Sequence, residues 1–151
     1  MGSMVDRLTP AARSALMSRV KGKNTSPEML VRSILHRAGY RFSLHKRGLP
    51  GSPDIFLARH RTAIFVHGCF WHGHPNCSRA KLPETRKDFW ETKIGRNMER
   101  DSVTQHGLEQ MGYRVLVLWG CELKNESAAR RELAKYFPKV PLKDGEAIAN
   151  S

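Results

Sequence analysis

The segment from His67 to Cys77 constrains the fold of this chain more than any other stretch. It reads HGCFWHGHPNC and holds three of the seven histidines and two of the three cysteines. Sulfur and imidazole are the ligands that tetrahedral zinc prefers. Two glycines and a proline leave the loop little apolar side chain with which to build a core. We therefore expect the chain to be organised around this loop, with metal ligation or reactive imidazoles as its chemistry.

A fourth soft ligand lies far along the chain, just past a predicted strand. Cys69, His74, Cys77 and Cys121 together have the composition of a closed structural zinc site. The alternative is three buried or idle cysteines, since a free cysteine is often buried. Because His72 also lies between Cys69 and Cys77, the residues alone leave open which histidine binds the metal.

The order of predicted elements indicates a mixed α/β layer fold, with a central sheet flanked by helices. Met1 to Ser3 are interpreted as a vector-derived remnant and excluded. A basic N-terminal arm with one short helix is expected over 4–25, the main domain over 26–138 and a frayed tail over 139–151. The predicted elements are helices over 8–21, 26–38, 88–111 and 125–136 and strands over 40–44, 53–58, 62–66 and 113–119.

An acid lies where two of these strands are predicted to form a hairpin. Asp54 follows a proline at the start of one strand, and Val66 ends the next, so the two should lie at the same end. This is the front half of the PD…(D/E)xK nuclease pattern, in which a carboxylate and a carbonyl hold Mg²⁺. The second acid and the lysine are absent here. Nuclease chemistry remains possible if the main-chain oxygen of Val66 replaces the second acid as a metal ligand. His67 and His72 would then replace the lysine, since histidines take up and release protons near neutral pH.

Two further features are ambiguous from the residues alone. Glu28 lies in the first turn of a predicted helix, where an acid commonly complements the helix dipole. Trp90 falls at a core spacing of the long helix. By contrast, Phe70 and Trp71 lie in a glycine-rich polar loop, where they are better explained as aromatics that stack on or wedge between bases.

The charge favours a nucleic-acid partner. Lys and Arg total 26 against 14 acids, a formal net charge of +12, which a polyanion would neutralise. No apolar run is long enough to span a membrane, and an odd number of cysteines suits a reducing compartment. We therefore expect a cytoplasmic protein without a membrane partner.

Four motifs together resemble the very-short-patch-repair (Vsr) mismatch endonucleases, from about Thr9 to Phe137. They are LPGSPD ending at Asp54, IFVHGCFWH ending at His72, DFW with KIGRNMERD ending at Asp101, and GYRVL leading to the WGC that ends at Cys121. The resemblance implies a restriction-endonuclease-like fold with a structural zinc. It implies Mg²⁺-dependent nicking of duplex DNA 5′ to the thymine of a T·G mismatch, the product of 5-methylcytosine deamination.

The resemblance also implies roles for particular residues. Asp54 and the Val66 carbonyl match the Mg²⁺ ligands, and His72 matches the general acid or base. His67, Asp101 and Glu28 match supporting site residues, with Asp101 placed to orient a histidine. The set formed by Cys69, His74, Cys77 and Cys121 matches the zinc ligands, and Phe70, Trp71, Trp90 and Met17 match the residues that intercalate at the mismatch.

This chain departs from the family pattern at three places. Val66 stands where Thr is common, Ser52 stands where Arg is common, and the ligand loop has one extra residue between His74 and Cys77. The resemblance further implies a monomer in the bacterial cytosol that works beside other mismatch-repair proteins. The alternatives are a restriction-type or other-lesion nuclease of the same fold, an inactive DNA-binding relative, and an RNA-binding zinc protein.

Overall fold

The structure is a computed structural model, and it describes residues 25–142. The predicted N-terminal helix over 8–21, with Met17, lies outside the described residues, as do residues 143–151 of the predicted tail. Within the described part, no helix has the length and apolar character needed to cross a membrane.

Four strands form one mixed sheet in the order β1-β2-β3-β4. They are β1 (Ser43–Leu44), β2 (Ile55–Leu57), β3 (Thr62–His67) and β4 (Arg114–Trp119). The first three run antiparallel to one another, and β4 pairs in parallel with β3. The predicted hairpin is therefore confirmed, and it forms the half of the sheet that carries Asp54.

Helices cover both faces of this sheet, as the alternation of side chains along the strands requires. Ile55, Leu57 and Ile64 face a core shared with α1 (Ser26–Arg37) and α3 (Glu126–Ala134). The side chains between them, Phe56, Ala63 and Phe65, form a smaller core with Leu108 of α2 (Lys87–Gln110) on the other face. The protein is an α/β fold in three layers, with a central mixed sheet flanked by helices, as predicted.

Helix α1 begins at Ser26, as predicted. Thr25 is its N-cap, and the Thr25 hydroxyl accepts a 3.4 Å hydrogen bond from the Glu28 amide. Glu28, Val31 and Leu35 share one helical face and are all buried. The face that packs on the sheet therefore carries an acid into the interior, which is far less common than an acid at a solvated helix start.

Helix α2 is long but only lightly packed. Its apolar residues recur at roughly helical spacing, but Phe89, Met98 and Val103 are exposed, whereas Ile94 and Leu108 are buried, together with the polar Asn97. Most of its surface therefore faces solvent along one edge of the molecule.

At the C-terminal end, packing continues past Pro138, where the sequence predicted a frayed tail. Val140 is buried in the larger core, and the Lys139 amide donates a 3.3 Å hydrogen bond to the Tyr40 hydroxyl. A short 3₁₀ turn, Gly120–Leu123, follows β4 and carries Cys121 towards the His67–Cys77 loop.

Candidate active site and metal centre

Asp54 lies beside the end of β3, as the hairpin predicted. Its Oδ2 accepts a 2.8 Å hydrogen bond from the Val66 amide. Burial, partly opposed by this hydrogen bond and reinforced by the nearby charge of Glu28, raises the pKa of Asp54 to about 6. A carboxylate that has lost hydration in this way gains from a bound cation, so the site fits a divalent metal.

A second acid and a histidine lie against Asp54. Glu28 Oε2 lies 3.3 Å from Arg32 on the same helix and 3.1 Å from His45 Nε2. Across the ring, His45 Nδ1 lies 3.8 Å from Asp54 Oδ1. The sequence predictions missed His45, which falls in a basic turn rich in glycine and proline, and nothing in its local pattern separates it from a surface histidine.

The opposite wall of the site is a histidine pair held by Asp101. His72 Nδ1 lies 2.6 Å from Asp101 Oδ2, and the rings of His67 and His72 stack with their centroids 3.8 Å apart. Burial, and then the neighbouring His72, lower the pKa of His67 to about 4. His67 is therefore neutral near pH 7, and its buried Nδ1 has no hydrogen-bond partner among the described residues.

One face of helix α2 contacts the His67–Cys77 loop through Asn97 and Asp101. Asn97 donates a 2.9 Å hydrogen bond to the Trp71 carbonyl, and Asp101, one turn on, meets His72. Gly73 has φ +62°, and a Cβ there would come within 2.5 Å of Met98 Sδ, so the close approach depends on glycine. Asn97 was missed by the sequence predictions, although its spacing of four from Asp101 is a detectable signal.

The four predicted soft ligands meet in one cluster. One ligand atom each from Cys69, His74, Cys77 and Cys121 lie within 4.8 Å of one another, and Cys121 Sγ is 3.4 Å from His74 Nδ1. His74 also stacks on Trp119, with ring centroids 4.1 Å apart. Burial, and then the neighbouring thiols, raise the pKa of Cys121 to about 12. Such crowding of thiols fits a site that a metal cation would complete.

The extra residue before Cys77 does not separate the ligands. Asn76 adopts φ +55°, in the left-handed region that asparagine tolerates better than most residues. Cys77 follows that turn and lies in the ligand cluster.

Phe70, Trp71 and Trp90 form a separate aromatic cluster on the outer side of the loop. Their ring centroids lie 5.1 to 5.8 Å apart in edge-to-face geometry. All three side chains are partly buried. The loop and the start of α2 thus bring together the predicted aromatics of the described residues.

A cleft of about 370 Å³ joins the two walls, and basic side chains extend from it. Asp54, His67, His72 and Asp101 all line this cleft, as does Arg100. Arg100 also lines a shallow groove along α2, together with Phe89, Lys93 and Arg96. Arg100 therefore links the cleft to a groove whose lining has three basic residues and one acid, Asp88.

A mixed α/β sheet with a half-buried carboxylate at the strand ends, and a histidine–carboxylate pair across a cleft, is typical of a restriction-endonuclease-like protein. Residues 5–79 match the family model described as DNA mismatch endonuclease Vsr. The chain belongs to the Vsr family of DNA mismatch endonucleases, and it is a hydrolytic endonuclease.

The relatives agree with this assignment along most of their length. The type II nicking enzyme V.XorIIP of Xanthomonas oryzae pv. oryzae is 49% identical over 86% of this chain and 95% of its own. V.NmeAIP of Neisseria meningitidis serogroup A, also named a type II nicking enzyme, is 42% identical over 91% of this chain and 97% of its own. The DNA mismatch endonuclease Vsr of Escherichia coli K12 is 40% identical over 80% of this chain and 77% of its own.

Proposed function

We propose that this protein nicks one strand of duplex DNA on the 5′ side of the thymine in a T·G mismatch. The reaction is Mg²⁺-dependent hydrolysis of a phosphodiester, and it serves very short patch repair of deaminated 5-methylcytosine. The observation that carries the proposal is the meeting of Asp54 with the His72–Asp101 pair in one cleft. Membership of the Vsr family supports it, as does the name of the E. coli relative, a DNA mismatch endonuclease.

Asp54 and the Val66 carbonyl would hold the metal. The Val66 amide already hydrogen-bonds to Asp54 Oδ2, which fixes the carboxylate relative to the end of β3. When bound, Mg²⁺ supplies Lewis-acid polarisation of the phosphate and charge stabilisation for the leaving oxygen. The family pattern has Thr at position 66, but a main-chain ligand does not depend on that side chain.

His72 would transfer the proton. Asp101 accepts from Nδ1, so the neutral ring keeps its lone pair on Nε2, where it can take a proton from the attacking water. His67, neutral near pH 7 and stacked on His72, would support the ring without adding a second positive charge. Glu28 would support Asp54 from the side away from His72. The residues that support the metal ligands and His72 would therefore be Glu28, His67 and Asp101.

The Cys69, His74, Cys77 and Cys121 cluster would hold a structural zinc. Three thiolates and one imidazole are a typical closed zinc set. Three of the four ligands belong to the His67–Cys77 loop, which also carries His72, Phe70 and Trp71. The ion would therefore stabilise the loop that presents these side chains. Holding the loop's shape would fix the catalytic imidazole relative to the bases.

The aromatic cluster and the basic groove would bind the duplex. Phe70, Trp71 and Trp90 would wedge beside the mismatch, where a weakened base step costs less to unstack. Lys93, Arg96 and Arg100 would contact phosphates, which positions the duplex without reading its sequence. Met17, on the N-terminal arm, would enter from the minor groove.

A panel of duplexes tests the proposal directly. Matched, T·G, U·G and other mismatched duplexes of one sequence are incubated with the protein and Mg²⁺, and then with EDTA. We expect a single nick 5′ to the mismatched thymine with Mg²⁺ only. Equal nicking of matched duplexes would indicate a restriction-type enzyme instead, and binding without nicking would indicate an inactive relative. Binding to RNA without nicking of any DNA duplex would favour the alternative of an RNA-binding zinc protein.

A further inference from the structure

His45 occupies an unusual backbone conformation beside the metal-binding carboxylate. Its φ is +47°, in the left-handed region that a side chain with a Cβ adopts at a cost of about 1 kcal/mol. Its amide donates a 3.0 Å hydrogen bond to the Asp54 carbonyl. The backbone thus fixes His45 directly against Asp54, and strained residues of this kind cluster at active sites and ligand-binding sites.

The imidazole lies between two carboxylates. Nε2 is 3.1 Å from Glu28 Oε2, but this buried nitrogen makes no well-aligned hydrogen bond. Nδ1 is 3.8 Å from Asp54 Oδ1, which is too long for a hydrogen bond. Two atoms at that separation can both bind one divalent ion, because ligand distances are about 2.1 Å.

A histidine backed by a carboxylate is also the usual arrangement of an imidazole that binds a metal. The carboxylate fixes the ring and raises the basicity of the ligating nitrogen. Glu28 is 1% exposed and is anchored by Arg32, so it is a rigid backing group for His45. Asp54 supplies the partner ligand on the other side of the ring.

We propose that His45 is a ligand of the divalent ion held at Asp54, and that Glu28 positions this imidazole and does not bind the ion itself. The inference rests on the proposed function, since it concerns the same metal site. An imidazole ligand changes the preference of the site. Nitrogen donors favour Mn²⁺ and Co²⁺ over Mg²⁺, which strongly prefers oxygen. His45 would thus make this site more receptive to Mn²⁺ than one built from oxygen ligands alone.

Mn²⁺ bound to the purified, zinc-loaded protein provides a test that needs no catalysis. Pulsed electron paramagnetic resonance detects ¹⁴N directly bound to Mn²⁺, and continuous-wave spectra give the free Mn²⁺ and hence the Kd. We expect a nitrogen coupling in the wild-type protein that His45→Gln removes. The same variant should weaken Mn²⁺ binding by roughly 10- to 100-fold and Mg²⁺ binding, measured by competition, by less.

Two further variants separate ligation from a structural effect. His106→Gln, at an exposed histidine on α2, should leave both the coupling and the Kd unchanged. Glu28→Gln should keep the nitrogen coupling while weakening Mn²⁺ binding. A coupling that survives His45→Gln would overturn the inference, and so would wild-type protein that binds Mn²⁺ without any nitrogen coupling.

The outcome is distinguishable from failure of the proposed function. Nicking of a T·G duplex by the wild-type protein tests that function, whereas the nitrogen coupling is read without DNA. A protein that nicks T·G duplexes but shows no His45-dependent coupling would retain its proposed function and lose only this ligand.

Discussion

Asp101 Oδ2 lies 2.6 Å from His72 Nδ1 and joins the long helix to the His67–Cys77 loop. The carboxylate accepts the Nδ1 proton and so determines both the tautomer and the orientation of the ring. Asn97, one turn earlier on the same face of α2, holds the Trp71 carbonyl. The imidazole is therefore positioned by two groups whose spacing is set by one helix.

Replacing Asp101 by Asn should keep the packing around the His72 ring but remove the control of its tautomer. The amide preserves the size of the side chain but no longer selects the Nδ1–H tautomer. We expect single-turnover nicking to fall by roughly 10- to 1,000-fold, within the range of a general acid–base contribution. Binding of the T·G duplex should change little. Nicking by the Asn variant at the wild-type rate would contradict the role of the pair.

Asp54→Asn should abolish nicking and, in the absence of divalent metal, stabilise the protein at neutral pH. The folded-state pKa of Asp54 is raised from 3.8 to about 6, so keeping it ionised costs the fold about 3 kcal/mol at pH 7. A raised pKa contributes its stability below 3.8 and loses it as the pH rises through about 6. Urea unfolding at pH 4 and pH 7.5 should therefore show the gain only at the higher pH.

Adding Mg²⁺ provides the control for that comparison. The wild-type protein should gain stability with Mg²⁺ at pH 7.5, because the ion binds the folded state only. Asp54→Asn should gain little. An equal response of the two proteins to Mg²⁺ would contradict the assignment of Asp54 as a metal ligand.

Cys121→Ser should remove the structural metal and loosen the loop. Metal binding is coupled to folding, so loss of one thiolate should lower Tm markedly. Metal analysis of unchelated protein should find about one zinc per chain in the wild type and much less in the variant. A strong chelator should then lower the Tm of the wild type towards that of Cys121→Ser and leave the variant almost unchanged.

Phe70→Ala should reduce discrimination for the mismatch more than it reduces binding to DNA in general. Stacking of one base on an aromatic ring contributes about 1 to 3 kcal/mol, so the preference for T·G over matched duplex should fall roughly 5- to 150-fold. Tyr136→Ala is the control, because Tyr136 is an exposed aromatic just past α3 that lines neither the cleft nor the groove along α2. Equal loss in both variants would indicate that the effect is not specific to the cluster of three.

The hairpin and the ligand cluster were predictable because local signals determine them. Pro53 and the apolar strand positions align Asp54 with Val66, and the cysteine spacing identifies the metal loop. His45 and Asn97 were not predictable to the same degree. Each acts through a partner distant in sequence, and each belongs to a residue type that is usually solvated. The residues alone left Glu28 ambiguous for a related reason: only tertiary packing shows that its helical face is buried.

Helical periodicity does not explain why α2 packs so lightly. Phe89, Met98 and Val103 recur with Ile94 and Leu108 at roughly helical spacing, yet they are exposed. The sheet covers only a narrow stripe of the helix, around Leu108, while the His67–Cys77 loop covers Ile94 and Asn97. The remaining surface is free to carry Lys93, Arg96 and Arg100 on one side.

Arg96→Gln tests whether that basic side contacts the DNA backbone. Each phosphate contact releases counterions, so the slope of log K against log salt for duplex DNA should become less negative by about 0.9. Affinity should fall similarly for T·G and matched duplexes, because a phosphate contact carries no base information. Arg131→Gln, at an exposed arginine on α3 away from the cleft, is the charge-matched control and should leave the slope unchanged. An unchanged slope for Arg96→Gln, or an effect confined to the T·G duplex, would mean that the groove along α2 does not bind phosphate.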